Sequence, residues 1–290
     1  MTKLLAFVAA LLMSGIAVSS ACVAGDVEPI AFTVEPGKDD RVKVTFRRAD
    51  QERTNSWSNA FRPADLAGLD ADALRSPDTR PIRFAIAREA GRVDCAGTGG
   101  NSLARGTCSL TPDARFNDFL ARNGVARPSR EQTFGLIALN VKRELVTALR
   151  AANYPAPSLD EMIGLTAVGV TNAYIGEMAR AGYRPKSLDG LLQFRALNIT
   201  PDYIGRFSRM GYGDIPPGDL IQLKALNVTP EYIASFERIG YGRLPVSSLV
   251  QMKALGVTPE FVRAVQQGDA LPSPDRLVTL RALGRHKRQR

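Results

Sequence analysis

From residue 113 onward the apolar positions follow helical spacing, and the whole pattern then returns every 29 residues. Thr171, Thr200, Thr229 and Thr258 stand one interval apart, as do Tyr174, Tyr203, Tyr232 and Phe261. The pairs Gly182-Tyr183, Gly211-Tyr212 and Gly240-Tyr241 keep the same interval. Upstream, Asn153-Tyr154 and Gly124-Val125 hold the phase, so about six units fill residues 113–284, the last one truncated.

Each unit announces two helices through its caps. Thr200 is placed as an N-cap whose hydroxyl accepts from first-turn amides, Pro201 suits the first helical position, and Asp202 complements the helix dipole. Ile199 before the cap and Ile204 after it form a hydrophobic staple, repeated by Val228 with Ile233 and by Val257 with Val262. Gly211 supplies the left-handed residue that stops the helix, and Tyr212 beyond it reaches back to Phe207. A second helix from Pro216 or Pro217 to Leu226 turns Leu220, Leu223 and Leu226 inward and stops at Asn227. Asn140, Gly169, Asn198 and Gly256 hold the equivalent stop. Helices of about ten residues are marginal alone in water, so the units must stack on one another.

Residues 25–112 follow a different pattern. Ile30 to Val34, Val42 to Phe46, Ile82 to Ala87, Arg92 to Ala96 and Thr107 to Leu110 carry alternating or β-branched apolar residues and predict strands. Pro36-Gly37, Ala90-Gly91 and the run Gly97 to Ser102 predict reversals, and residues 65–74 suggest a short helical excursion. The expected fold is therefore α+β, a small N-terminal antiparallel β domain followed by an α-solenoid-like array of helical-hairpin repeats.

The first 24 residues read as a secretory signal, with Lys3, an unbroken apolar run from Leu4 to Met13 and a small-residue stretch opening at Ser14-Gly15. That run is too short to span a bilayer as a helix, and no later stretch matches it. A second reading makes Cys22 a lipoprotein acceptor, but Ser19 stands where such signals carry an aliphatic residue. The chain is thus expected in the periplasm or outside the cell. Export leaves Cys95 and Cys108 as an even pair in an oxidising compartment, where a disulfide across a hairpin is expected, with two buried free thiols as the alternative.

Export also changes what the net charge of +9 means. Arg276, Arg281, Arg285, Lys287, Arg288 and Arg290 supply six positive charges with no acid after Asp275. Taking these six and Lys3 from nine leaves a body of only +2. Nucleic acid is therefore not the expected partner. The basic tail at residues 285–290, with Arg285, Lys287, Arg288 and Arg290, reads either as a contact for anionic envelope surfaces or as a solvated terminus.

The units such as Asn198-Ile199-Thr200-Pro201-Asp202-Tyr203-Ile204 through Gly211-Tyr212, and Val257 to Val262, resemble the C-terminal repeats of membrane metallopeptidases of the β-lactam-sensor, antirepressor type. Asp65 to Leu69, Val93 to Gly97 and Thr107 to Pro112 with Phe116 are similar to the extracytoplasmic segment that precedes those repeats. The resemblance implies compartment and architecture and covers nearly the whole mature chain. The HExxH helix of that family has no counterpart here, since the one histidine is His286, so the resemblance implies no peptidase activity.

Other chemistry finds little footing. One histidine in a charged terminus supports neither a triad nor a metal site, so no metal, cofactor or catalytic residue is assigned. Asp160, Glu161, Asp202, Glu231 and Glu260 leave a carboxylate hydrolase formally open, although the last three recur at second helical positions where dipole complementarity accounts for them. The stripe Tyr174, Tyr203, Tyr232, Phe261 is either a candidate interaction face or inter-repeat packing. The expected function is a non-catalytic protein-interaction or sensor module of the envelope, with a hydrolase or ligand-binding enzyme for envelope polymers as the alternative.

Overall fold

The computed structural model describes residues 30–49 and 54–286, so the first 24 residues read as a signal, Cys22 among them, and residues 287–290 of the tail lie outside the described residues. Six antiparallel strands come first: β1 (Ile30–Pro36), β2 (Val42–Ala49), β3 (Thr54–Phe61), β4 (Arg80–Arg88), β5 (Gly91–Gly100) and β6 (Leu103–Pro112). They form one sheet in the order β3-β2-β1-β6-β5-β4. Two three-stranded meanders are thus joined by pairing the first strand with the last. A single 3-10 turn (Pro63–Asp65) and the short helix α1 (Ala71–Arg75) bridge β3 and β4.

One face of the sheet is apolar because the alternation holds in register across all six strands. Phe46 opposes Phe32 of β1 and Trp57 of β3, Cys95 opposes both Phe84 and Cys108, and Ile30 opposes Cys108 on its other side. Phe32 and Phe84 meet edge to face with centroids 5.0 Å apart, although two strands separate them. Gly97 and Gly106, paired between them, make the room: a methyl on Gly106 would stand 2.2 Å from the Ala96 carbonyl oxygen and 2.8 Å from the Phe32 ring.

Two elements differ from the sequence reading. β5 runs through its glycines to Gly100, and the reversal is confined to Asn101 and Ser102, both left-handed with φ of 51° and 63°. The register requires this, because a hairpin that sets Cys95 opposite Cys108 has its midpoint between residues 101 and 102. The other difference is β3, whose sequence TNSWSNAF offers no β-branched residue after Thr54. It forms because Trp57 and Phe61 turn onto the apolar face, with the exposed Asn59 between them, while Ser56, Ser58 and Ala60 turn to the other.

Twelve helices follow, in six pairs: α2 (Ala114–Arg122) with α3 (Arg130–Ala138), α4 (Arg143–Ala151) with α5 (Leu159–Ala167), α6 (Asn172–Arg180) with α7 (Leu188–Ala196), α8 (Pro201–Ser208) with α9 (Pro217–Ala225), α10 (Pro230–Glu237) with α11 (Val246–Leu255), and α12 (Pro259–Val265) with α13 (Pro274–His286). The last helix continues two residues into the segment read as a tail. The caps are those the sequence predicts. Thr171, Thr200, Thr229 and Thr258 each accept from the amide three residues on, at 3.2 to 3.3 Å. Gly182, Gly211, Gly240, Asn198 and Asn227 all have positive φ, between 53° and 100°. At the end of α8, Tyr212 N donates to Phe207 O and Gly211 N to Ser208 O, the paired bonds of a Schellman cap. Replacing Thr229 by Ala is expected to cost about 1 kcal/mol through the lost cap, read as a lower urea midpoint with an unchanged slope.

α3 packs on β4 and β5, and α5, α7, α9, α11 and α13 then pack each against the one before. α2, α4 and α6 pack likewise, while the later even-numbered helices approach one another less closely. Arg143 fastens the junction, since its amide donates to the Glu89 carboxylate at 3.0 Å and its guanidinium lies between Glu89 and Asp113 and over the Phe116 ring. Phe116, Phe194, Phe207 and Phe236 are fully buried and carry one continuous core from the sheet along the pairs.

Candidate functional site

A groove of about 700 Å³ opens where the sheet meets the first two helix pairs. β2 and β3 present Phe46 and Trp57 to it because their inward positions are in register, α3 presents Phe134, and α5 presents Ile163. The three rings interlock: Phe46 stacks on Trp57 at 5.7 Å, and Phe134 stands edge-on to Phe46 at 5.2 Å and to Trp57 at 6.0 Å. Gly135 lets Ile163 lie close against α3, since a methyl there would stand 3.1 Å from its Cδ1 atom. The rim is polar and begins at helix starts. Ser129 and Gln132 form a capping box at the head of α3, and Asp160 in the first turn of α5 accepts from Gln132 Nε2 at 3.4 Å.

The lining of the groove ends at Ile163, but the series that Phe134 and Ile163 belong to goes on. Leu192, Ile221 and Val250 follow on α7, α9 and α11 at the 29-residue interval, and all are half-buried, as are Phe134 and Ile163. Gly164 repeats the arrangement of Gly135, holding space for the Leu192 Cδ1 atom. One half-buried apolar side chain per unit therefore recurs along the odd-numbered helices, an apolar track whose first two members line the groove. Neither Trp57 nor this track belongs to the residues singled out from sequence. The signal was available, because the interval that relates the tyrosines also relates Phe134, Ile163, Leu192, Ile221 and Val250.

The aromatic stripe singled out from sequence lies between units. Tyr174 and Tyr203 are buried, and Tyr232 and Phe261 are half-buried. Tyr174 donates its hydroxyl hydrogen to Ile199 O at 2.8 Å and Tyr232 to Val257 O at 3.0 Å, each reaching the loop that opens the next unit. Tyr203 is the exception, its buried hydroxyl having no partner. A cation from the following helix covers each ring: Arg195 over Tyr174, Lys224 over Tyr203, Lys253 over Tyr232 and Arg281 over Phe261. Burial pushes the Tyr174 and Tyr203 phenols up to about 12 and the Tyr232 phenol higher still. A second series, Tyr183, Tyr212 and Tyr241, bonds to Gly213 O, Leu244 O and Pro272 O.

The carboxylates are spread along the array. Glu161 closes the α5 capping box on the Ser158 amide at 2.7 Å, and Asp202, Glu231 and Glu260 each occupy the first turn of an even-numbered helix. Hydrogen bonds from its own amide and from Thr229 hold Glu231 below the usual carboxylate range, helped by Arg206 at 3.0 Å, and the same local bonds lower Glu260. Among the described residues, no three His, Cys, Asp or Glu side chains gather closely enough to hold a metal ion. Cys95 and Cys108 face each other on the buried side of the sheet with sulfurs at bonding distance and Cα atoms 4.0 Å apart. Of the tail cations, Arg285 falls in α13, and Lys287, Arg288 and Arg290 lie outside the described residues.

No family model, no curated protein and no solved structure matches this chain.

Proposed function

We propose that this chain is a non-catalytic, exported interaction or sensor module of the bacterial cell envelope that holds a partner protein in the groove and along the apolar track. The observation that carries this reading is the continuity of the track. Five half-buried apolar side chains, Phe134, Ile163, Leu192, Ile221 and Val250, repeat once per unit on one layer of helices and run into a groove walled by Trp57. Regular stacking keeps such side chains in line, as in an α-solenoid-like array, and an apolar surface with a polar rim is the anatomy of a docking site. Export is supported by the signal-like first 24 residues and by the cysteine pair at disulfide distance. No described helix is long and apolar enough to cross a membrane. The resemblance to the extracytoplasmic part of antirepressor metallopeptidases points to the same compartment. The basic residues 285–290 add an attraction to anionic surfaces that is screened within a Debye length of about 8 Å.

The test is site-directed photocrosslinking in a bacterium that exports the chain. A photoreactive residue at Ile163 or Leu192 is expected to give a discrete protein adduct, and one at Thr107, on the opposite face of the sheet, none. Absence of adducts from both track positions, or cleavage of purified envelope polymer that is lost in Asp160→Asn, would overturn the reading.

A further inference from the structure

The two edges of the sheet are finished differently, and the difference falls at the groove. On the β4 edge, Ala67 pairs with Ala85 through two backbone bonds of 2.8 and 2.9 Å, so the loop after β3 covers that edge at its middle. On the β3 edge, the part distant from the groove is closed by side chains: Asn59 Oδ1 accepts from the Ala60 amide at 2.8 Å, and Arg41 Nη1 donates to Ala60 O at 3.2 Å. These bonds also fix the phase of the edge. Ala60 turns its amide and carbonyl away from β2, and because ladder bonds alternate along an antiparallel pair, Ser58 and Ser56 turn theirs outward too. The Ser58 hydroxyl is held on the opposite face of the sheet by Thr45, at 2.7 Å. The outward amides and carbonyls of Ser56 and Ser58 therefore have no partner among the described residues and stand beside Trp57, where β3 forms one wall of the groove.

We propose that an extended segment of a partner protein adds to this edge as a seventh strand, sets its alternate apolar side chains into the groove against Trp57, Phe134 and Ile163, and brings a basic side chain to Asp160. This rests on the docking reading above and specifies its mode. An unpaired edge selects an extended backbone, since only a strand presents donors and acceptors at the matching spacing. A strand added about 4.8 Å from β3 points every second side chain to the same face as Trp57, which is the apolar one. The groove is of the size that buries a ligand's side chains. Charge complementarity supplies the last element. Asp160 has no ion-pair partner among the described residues and accepts only from the neutral Gln132 amide, so a lysine or arginine beside the apolar positions completes the rim.

Trp57 is the sole tryptophan of the chain, so its fluorescence reports the groove directly. The probe is a synthetic peptide of alternating leucine and threonine flanked by lysines, titrated into the full mature protein. Two further versions carry N-methyl groups on the leucine amides or on the threonine amides. In an added strand only one of these two sets faces β3, so the unmodified peptide is expected to give a saturable change, one methylated version to retain it, and the other to lose it. Ser58→Pro removes an outward donor without breaking the β2 ladder and gives up only the exposed hydroxyl bond to Thr45, so the melting temperature is expected to fall little while affinity falls about tenfold or more. Asp160→Asn is expected to weaken binding and flatten its dependence on salt. Equal binding of all three peptides would overturn strand addition while leaving the docking reading intact. Failure of the unmodified peptide to bind would overturn the inference alone if the photocrosslinked adducts are present, and both readings if they are absent. A mass that doubles with protein concentration and reverts in Ser58→Pro would overturn it in favour of a second copy pairing at β3.

Discussion

Gly106→Val is expected to destabilise the β domain by about 3 kcal/mol or more, beyond most surface substitutions in the chain. The added carbon would stand 2.2 Å from the Ala96 carbonyl oxygen and 2.6 Å from Gly97 Cα, both backbone atoms of a central strand, and 2.8 Å from the Phe32 ring. A flexible side chain could rotate away, but paired backbone in the middle of a sheet cannot yield without opening the ladder between β5 and β6. The matching control is Gly218→Ala in the first turn of α9, where nothing lies within 4 Å. That change is expected to be neutral or to stabilise by about 0.5 kcal/mol through a less flexible unfolded chain. Urea unfolding of the two variants measures both, and a Gly106→Val protein within about 0.5 kcal/mol of the parent would disprove the close approach of the strands.

The second large effect is on alkaline stability. Tyr174 and Tyr203 keep their protons in the folded state to about pH 12, whereas in the unfolded chain a phenol ionises at its ordinary value of 10.0. Between those values the native state binds more protons than the unfolded state, so the unfolding free energy falls as pH rises. The contribution is fully present below pH 10 and is lost toward 12, and two tyrosines account for about 2 kcal/mol each. Tyr232, shifted further in the same direction, steepens the decline. Urea midpoints from pH 8 to 11.5 should drop with a break near 10, and absorbance of the folded protein should show a group of phenols that ionise only as it unfolds. Tyr203→Phe tests the source, because its hydroxyl has no bond to lose. It is expected to be neutral or stabilising at pH 7 and to shallow the alkaline slope, whereas Tyr232→Phe loses its bond to Val257 O and should cost about 1 kcal/mol. Midpoints that stay level from pH 9 to 11 would contradict this account of the buried phenols.

The helical part was legible because its information is local. A threonine three residues before an amide, or a glycine or asparagine two or three residues past a helix, fixes an end without any distant partner, and repetition at 29 residues states each end several times. The sheet was legible only where its strands are apolar. β3 escaped because an edge strand needs just two inward apolar residues, Trp57 and Phe61, and the rest of its sequence matches a loop. The groove was legible only in its helical wall, where the 29-residue interval relates Phe134 to Ile163, since no spacing in the sequence relates Trp57 to a helix residue 77 positions on. The tyrosine stripe shows the reverse situation: its period was plain, but whether the rings face solvent or the next unit depended on carbonyls 25 residues ahead.

Those tyrosine bonds give the array a direction. Where a tyrosine hydroxyl donates it donates forward, Tyr174 to Ile199 and Tyr232 to Val257 in one series and Tyr183, Tyr212 and Tyr241 to Gly213, Leu244 and Pro272 in the other, so the later units couple head to tail like monomers in a polar polymer. At Phe261 the first series has a ring without a hydroxyl, and His286, 25 residues on, lies inside α13 rather than in a loop. The coupling is therefore directional, with the first series of donors ending at Tyr232 and the second reaching as far as Pro272.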